Sequence, residues 1–542
     1  MKKLIPILIL LISLSCSENR NVDLLVKNAV VYTVDKNFST TTGFVIKDGK
    51  IIEVGNDSEL ASKYNAKEIY DAGGKTIVPG FIDDHAHLYG LGLGLQKVDL
   101  IGATSYEEVV ERVIHYQKQH QLPYITGRGW DQNNWSDKEF PTKTQLDAAF
   151  PNTPVALQRV DGHALLVNSK ALELAGINAQ TKVQGGEIVL KNGEPTGVLI
   201  DKAMELVTQT MPEPSSEISV RALLDAEKVA LANGLTTVDD AGLPRTVIEM
   251  IDRLQKAGKM KLRIYAMVSN SPEDLKYYLK TGIYKTDRLN VRSFKIYTDG
   301  ALGSRGAAMR TPYTDRHEHF GIMITPADSL EFIAEKLAAS NFQMNSHAIG
   351  DSATISVLRT YKHVLSGKSD RRWRVEHAQI ISPEGFDYFS DNILPSVQPT
   401  HATSDMYWAE DRIGAERMKG AYAYETLLKK AGKIGLGTDF PVENVSPIYT
   451  FYAAVARKDL KGWPENGFQM KDALSREDAL RGMTIWAAFF NFEENEKGSL
   501  EPGKFADFTI LDRDIMKVDE SEIPATKIMA TFINGEKLFE AK

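Results

Sequence analysis

Short apolar runs rich in β-branched residues alternate with amphipathic helical stretches through most of this chain, and that alternation limits the fold more than any other feature. The strand-like runs read "KTIVPGFID", "YITGRGW", "PVALQRV", "LTTVDDA", "LRIYAMV", "RSFKIYTDG", "FQMNSHAIG", "RWRVEHAQI", "ILPSVQPT" and "KIGLGTD". Between them lie stretches such as "SYEEVVERVIHYQKQ", "VRALLDAEKVALANG" and "ADSLEFIAEKLAASN", with apolar residues at helical spacing. Strands that alternate with helices build a parallel sheet covered by helices, and closure into a (β/α)8 barrel is its commonest form. A plain barrel needs about 250 residues, whereas this chain has 542. The surplus is expected in an insertion around residues 100–215, where "QGGEIVLKNGEPTG" reads as an extra hairpin.

The two ends differ from the middle. "DLLVKNAVVYTVD" and "GFVIKDGKIIEVG" near the start, with Asp48-Gly49 between runs, predict a hairpin. "GSLEPGKFADFTILDRD" and "KIMATFINGEKLF", with Asn534-Gly535, predict another at the end. Neither segment is long enough for a stable core alone. They are expected to join as a small β-sandwich domain from residues 17–78 and 491–542, beside a distorted (β/α)8 TIM-like barrel over 79–490.

Residues 1–16, "MKKLIPILILLISLSC", have the order of a secretory signal: two lysines, an apolar stretch, then small residues before a cysteine. The apolar stretch falls short of the about 20 residues that a transmembrane helix needs. Cys16 is the only cysteine in the chain, so it forms no intrachain disulfide and no cysteine metal site. The segment resembles a bacterial lipoprotein signal, which implies that Cys16 is lipidated. An exported lipoprotein, anchored to the membrane on the periplasmic or cell-surface side, is the expectation; plain secretion is the alternative. The net charge of −8 offers no electrostatic case for nucleic-acid binding.

In a parallel barrel the reacting groups gather at the C-terminal strand ends. The first such end reads "IDDHAH", and period-two alternation turns His85 and His87 to the same side. Later ends supply Lys295 in "FKIYTDG", His347 in "SHAIGD", His377 in "VEHAQ" and Asp439 in "LGTDFP". Imidazoles and a carboxylate suit Zn2+ or a related divalent ion, and a catalytic site keeps one coordination position open for water. A carboxylate at the metal edge can take a proton from water and pass it to a leaving group. A lysine belongs in such a set only when neutral or carboxylated; it could instead pair with Asp299. Spacing alone decides little, because "DRHEHF" holds a second His-x-His, His317 and His319, with no strand before it. Asp83 and Asp84 are candidates for orienting an imidazole.

The ordered set His-x-His, Lys, His, His, Asp resembles the amidohydrolase superfamily, in its amidohydrolase 3 branch. "TIVPGFIDDHAHLYGLGLG", "DGHALLVNSKAL", "FKIYTDGALGSRGAAM", "SHAIGD", "RVEHAQ", "LGTDFPV" and "GSLEPGKFADFTILDRD" carry the likeness across nearly the whole chain. The resemblance implies metal-dependent hydrolysis of a non-peptide C–N bond, amide or N-formyl, in a small-molecule substrate. It implies His85, His87, His347, His377 and Asp439 as ligands of one or two Zn2+ ions, Lys295 as a carboxylated bridge, and Asp439 as the general base.

Beyond this set, Trp130, His163, Ser304, Arg305 and His401 are candidates for substrate contact, with Ser304 and Arg305 placed to hold a carboxylate or carbonyl. A homodimer is the default expectation for a large enzyme. Scaffold does not fix reaction, so a deaminase or isomerase on the same barrel and a non-catalytic surface-binding lipoprotein stay as alternatives.

Overall fold

The computed structural model describes residues 20–132, 135–159, 164–183 and 186–542. The signal-like segment with Cys16, and His163, lie outside the described residues. Eight parallel strands run in chain order: β1 (Phe81–Ala86), β2 (Leu235–Leu243), β3 (Arg263–Ser269), β4 (Leu289–Tyr297), β5 (Gln343–Ala348), β6 (Trp373–His377), β7 (Ile393–Val397) and β8 (Gly435–Leu436). Each pairs in register with the next, from Val238 opposite Asp83 to Val397 opposite Leu436. Near-continuous burial along β2, β3 and β5 is what strands covered on both faces require. Between β8 and β1 the barrel closes by two bonds just past the strand ends. Asp439 N–H donates to His85 C=O at 2.7 Å, and His87 N–H to Phe440 C=O at 2.8 Å.

The run "KTIVPGFID" proves to be two strands in different sheets. Thr76–Pro79 pairs antiparallel with Phe508–Leu511, with Ile77 opposite Ile510, and Phe81–Ala86 opens the barrel. The break falls at Gly80, where a Cβ would come within 2.3 Å of the Thr236 side chain, so only glycine lets the chain pass that close.

Both chain ends contribute to the terminal domain. A six-stranded sheet joins Val30–Tyr32, Thr40–Thr41 and Thr76–Pro79 to Phe508–Leu511, Ile528–Ile533 and Glu536–Glu540. A four-stranded sheet of Arg20–Lys27, Gly43–Lys47, Lys50–Gly55 and Tyr64–Asp71 packs on it. Their shared core includes Phe44 edge-on to Phe508 at 5.1 Å and Phe508 stacked on Phe532 at 4.3 Å. Asp48 and Asn534 adopt positive φ (51° and 54°), as tight hairpin turns require.

Leu88–Glu227 forms a compact unit of its own, and the barrel with the terminal sheets forms the other. The former holds a six-stranded sheet that includes the hairpin Gly186–Lys191 with Glu194–Asp201. Helix Tyr106–His120, capped by the Ser105 hydroxyl, covers a core of Val113, Trp130, Leu157 and Leu166.

Candidate metal centre

His85 is the fifth residue of β1, His347 the fifth of β5 and His377 the last of β6, while Lys295 lies near the end of β4 and Asp439 just past β8. The barrel brings all of them, with His87, to one place. His87 Nε2 lies 3.1 Å from Asp439 Oδ1, and His85 Nε2 lies 3.7 Å from the same oxygen. The His377 ring stands 4.9 Å from His85 and 4.4 Å from His347, centroid to centroid. Lys295 Nζ approaches His85 Nε2 at 2.8 Å. It makes no pair with Asp299, whose carboxylate instead accepts the backbone N–H groups of Ala308, Ile349 and Gly350.

Two backbones in this cluster are strained. His377 and Asp439 have φ of 71° and 61°, a region that costs a non-glycine residue about 1–2 kcal/mol. Neighbours in a regular strand face opposite sides. The turn in the backbone at His377 interrupts that alternation, so Glu376 and His377 both reach the site. Glu376, fully buried, holds His85 Nδ1. His377 Nδ1 is bonded to Gln398 Oε1 at 2.7 Å. Each partner occupies one ring nitrogen and leaves Nε2 to face the cluster, the arrangement that fixes a metal-ligating histidine. Neither Asp83 nor Asp84 orients an imidazole. Asp83 accepts from Thr438 N–H and Oγ1 at 2.9 and 2.7 Å, tying β1 to the end of β8. Asp84 is paired with Arg374, which also donates to Asp239.

Burial, reinforced by the nearby Lys295, holds His85 well below the ordinary imidazole range and His347 down to about 3. His377 is likewise held low by burial and by the neighbouring imidazoles. Neutral imidazole is the form that ligates a metal. Burial also draws Lys295 down to about 8. Burial would raise the Asp439 carboxyl, yet hydrogen bonds with His401 and His87 hold it well below the usual carboxylate range.

The donor set fits a divalent cation. Ligand atoms of His85, His377 and Asp439 lie within 4.8 Å of one another, all three residues buried. His347 Nε2 is buried without a hydrogen bond among the described residues, its nearest charged neighbour being Asp299 Oδ1 at 3.5 Å, a costly state for a polar atom that a cation would relieve. Nitrogen and oxygen donors without thiolate suit Zn2+ and its first-row neighbours.

A cavity of about 380 Å³ opens onto the cluster, lined on the barrel side by Tyr297, Leu302, Trp408 and Val442, and by His401, Asp405 and Glu443. His401, in the helix Pro399–Asp405 that follows β7, lines the cavity. Ser304 and Arg305 do not line it. The Arg305 guanidinium is committed to Asp315 at 3.1 and 2.7 Å, the Ser304 hydroxyl donates to Ala301 C=O, and Ala301, Leu302 and Gly303 of the same loop face the cavity instead. Trp130 is fully buried in the core of the Leu88–Glu227 unit, its indole N–H donating to Leu157 C=O at 2.7 Å. It ends the strand Ile125–Trp130 and packs in that sheet's apolar core.

Residues 68–539 match a family model described as the Amidohydrolase family. The chain belongs to the Amidohydrolase family. As such it is a metal-dependent hydrolase. It is 33% identical over 537 residues to the protein LONG AFTER FAR-RED 3 of Arabidopsis thaliana, covering 95% of this chain and 91% of that one. It is 28% identical to N-substituted formamide deformylase of Arthrobacter pascens, covering 96% of this chain and 98% of that enzyme. Among solved structures, an uncharacterized metal-dependent hydrolase from Pyrococcus furiosus superposes with a TM-score of 0.77 at 29% identity, over 91% of this chain and all of that one (100%). Glu376 and Gln398, which orient two of the family's strand-end histidines here, carry little sequence signal beyond a lone acid inside an apolar strand and a lone amide beside a proline.

Proposed function

We propose that this Amidohydrolase family member cleaves a non-peptide C–N bond, amide or N-formyl, of a small molecule, using one or two Zn2+ ions held by His85, His87, His347, His377 and Asp439. The observation that carries the reading is Asp439 itself: one carboxylate oxygen is turned to the histidine cluster and the other lies 3.3 Å from His401 Nε2. A divalent ion in such a set supplies Lewis acidity, polarising a carbonyl and making water nucleophilic at neutral pH.

The remaining work falls to the chain. Glu376 and Gln398 keep His85 and His377 with Nε2 toward the cluster. Asp439, held ionised, accepts the proton that attacking water loses and delivers it to the leaving nitrogen as the C–N bond breaks. Water thus adds its oxygen to the carbonyl carbon and its proton to the amine. Lys295 is compatible with the set as a carboxylated bridge, since burial already disfavours its ammonium. The likeness to N-substituted formamide deformylase supports an amide-type bond.

Purified protein spanning 17–542 should contain Zn2+ and hydrolyse members of a simple amide panel, and His85→Ala or Asp439→Asn should abolish both turnover and stoichiometric metal. Metal-free protein, or full activity in both variants, would overturn the reading. We also infer export with a lipid on Cys16, supported by the signal-like order of residues 1–16. Mass spectrometry of the mature N-terminus from its natural host tests it, an unmodified terminus downstream of Cys16 refuting the anchor.

A further inference from the structure

The polar groups of the catalytic cavity fall into two sets. One is the ligand cluster. The other is a distal wall made by Asp405 and Glu443, with His401 between Glu443 and the cluster. Both ring nitrogens of His401 are spent, Nε2 toward Asp439 Oδ2 at 3.3 Å and Nδ1 toward Glu443 Oε1 at 3.2 Å. It has no N–H left for a ligand.

The carboxylates of this wall are only partly satisfied. Asp405 Oδ2 accepts from the Tyr422 hydroxyl at 2.8 Å and the Gln379 amide at 3.2 Å, but its Oδ1 meets only Ser404 Oγ at 3.5 Å. Glu443 receives His401 and Ser404 Oγ on the same oxygen, Oε1, so Oε2 is uncommitted among the described residues. Among the described residues lining this cavity, Lys295 is the one lysine or arginine, and it lies against His85. The guanidinium nearest in sequence, Arg305, is closed off by Asp315. The cavity lining also includes apolar groups, among them Leu302, Ile349 and Trp408.

We propose that Asp405 and Glu443 select substrates by charge: the site prefers amides whose non-reacting part is an apolar or aromatic frame carrying an ammonium or other N–H donor, and rejects those carrying a carboxylate. A donor reaching the wall completes the two open carboxylate oxygens with charge-assisted hydrogen bonds. The one cation in the wall, the His401 imidazolium that its two carboxylate partners hold protonated, is already shared between Glu443 and Asp439, so a substrate carboxylate there meets the acids in a confined, partly desolvated space with no uncommitted cation to answer it. The specificity rests on the amide-hydrolase reading, but the wall's sign is a property of the cavity and can be read without turnover.

The test uses the Zn2+-loaded full chain and three formanilides differing only in a para methyl, aminomethyl or carboxylate group. Three phenylacetohydroxamates with the same substituents serve as metal-anchored ligands for equilibrium binding. The expected kcat/KM for aminomethyl exceeds that for carboxylate by about 30-fold or more, with methyl between, as like and unlike charge across one short gap should give. Asp405→Asn and Glu443→Gln should each shrink that ratio by about fivefold to tenfold, whatever they do to the absolute rate. Hydroxamate Kd values should follow the same order. A ratio within twofold, a reversed order, a ratio unmoved by both substitutions, or hydroxamates that fail to bind would overturn the proposal. Ordered hydroxamate binding without cleavage of any formanilide would leave charge selection standing and remove the amide-hydrolase reading. Cleavage without order would do the reverse.

Discussion

Asp439 donates its backbone N–H to the carbonyl of His85 at 2.7 Å, so the residue that closes the barrel is bonded directly to the one that opens the histidine cluster. β8 has only two residues in the ladder, and this bond, with His87 N–H to Phe440 C=O and Thr438 N–H to the Asp83 carboxylate, replaces the missing part of the strand. The geometry of the histidine and aspartate cluster and the closure of the barrel are therefore one structural problem.

That coupling predicts the outcome of Gly437→Ala. A Cβ at Gly437 would sit 2.5 Å from His85 N and 2.9 Å from both His85 O and Asp83 Oδ1, backbone atoms and a bound carboxylate that cannot step aside. Separating β8 from β1 should cost about 1–3 kcal/mol of stability and spread the His85–Asp439 pair. Urea unfolding and metal content should fall together; a stable variant with full metal would show that the closure does not position the ligands.

Glu376 gives a second prediction. It is buried and touches His85 through Nδ1, on the side of the ring away from Asp439. Glu376→Ala should weaken Zn2+ affinity by about 10- to 100-fold, the usual effect of losing a ligand's outer partner, as read by competition with a chromophoric chelator. Glu376→Gln, which retains an acceptor oxygen, should recover part of that loss. Equal affinities for all three proteins would dismiss the positioning role.

How much of this was legible beforehand depends on the range of the interaction. His85, His87, His347, His377, Lys295 and Asp439 could be gathered from the sequence because each sits at a strand end, and strand ends meet wherever a parallel barrel forms. The hairpins at Asp48-Gly49 and Asn534-Gly535 are equally local. Glu376 was not legible, since a strand pattern points it away from the side that His377 takes; only the positive φ at His377 brings both inward. Arg305 looked free because Asp315 lies ten residues on in an irregular loop that periodicity does not describe. Trp130 looked presented by a polar stretch, yet the sheet it belongs to has its own core. Asp83 and Asp84 were candidates for ring partners because of adjacency, whereas their partners Thr438 and Arg374 are 355 and 290 residues away.

Metal removal should separate fold from function. The terminal sheets and the barrel strands have extensive apolar cores of their own, so chelator-treated protein should keep its far-UV circular dichroism while losing turnover. Its Tm should drop and return on titration with Zn2+, because a ligand bound only by the native state stabilises by mass action, about 4 kcal/mol at a thousandfold excess over Kd. A protein that unfolds outright on chelation would make the metal structural, and one with an unchanged Tm would argue against binding at His85, His377 and Asp439.

The last prediction concerns the charges beneath the cluster. Arg374 is fully buried and donates to Asp84 Oδ1 at 3.0 Å and Asp239 Oδ2 at 2.9 Å, while Asn491 Nδ2 donates to Asp239 Oδ1 at 2.7 Å. Burial drives both carboxyls up, and the guanidinium is what opposes it. Arg374→Met removes the opposing charge and leaves two acids in an apolar setting, a loss of about 3–5 kcal/mol on the scale of broken buried pairs. Adding Asp84→Asn and Asp239→Asn should restore much of it, since a neutral amide in place of each acid removes the uncompensated charge. Because Asp84 directly precedes His85, the single variant should also lose metal affinity and the triple variant regain part of it. If the single variant is as stable as the parent, or the triple is no better than the single, the ion triad is not what supports this end of the barrel.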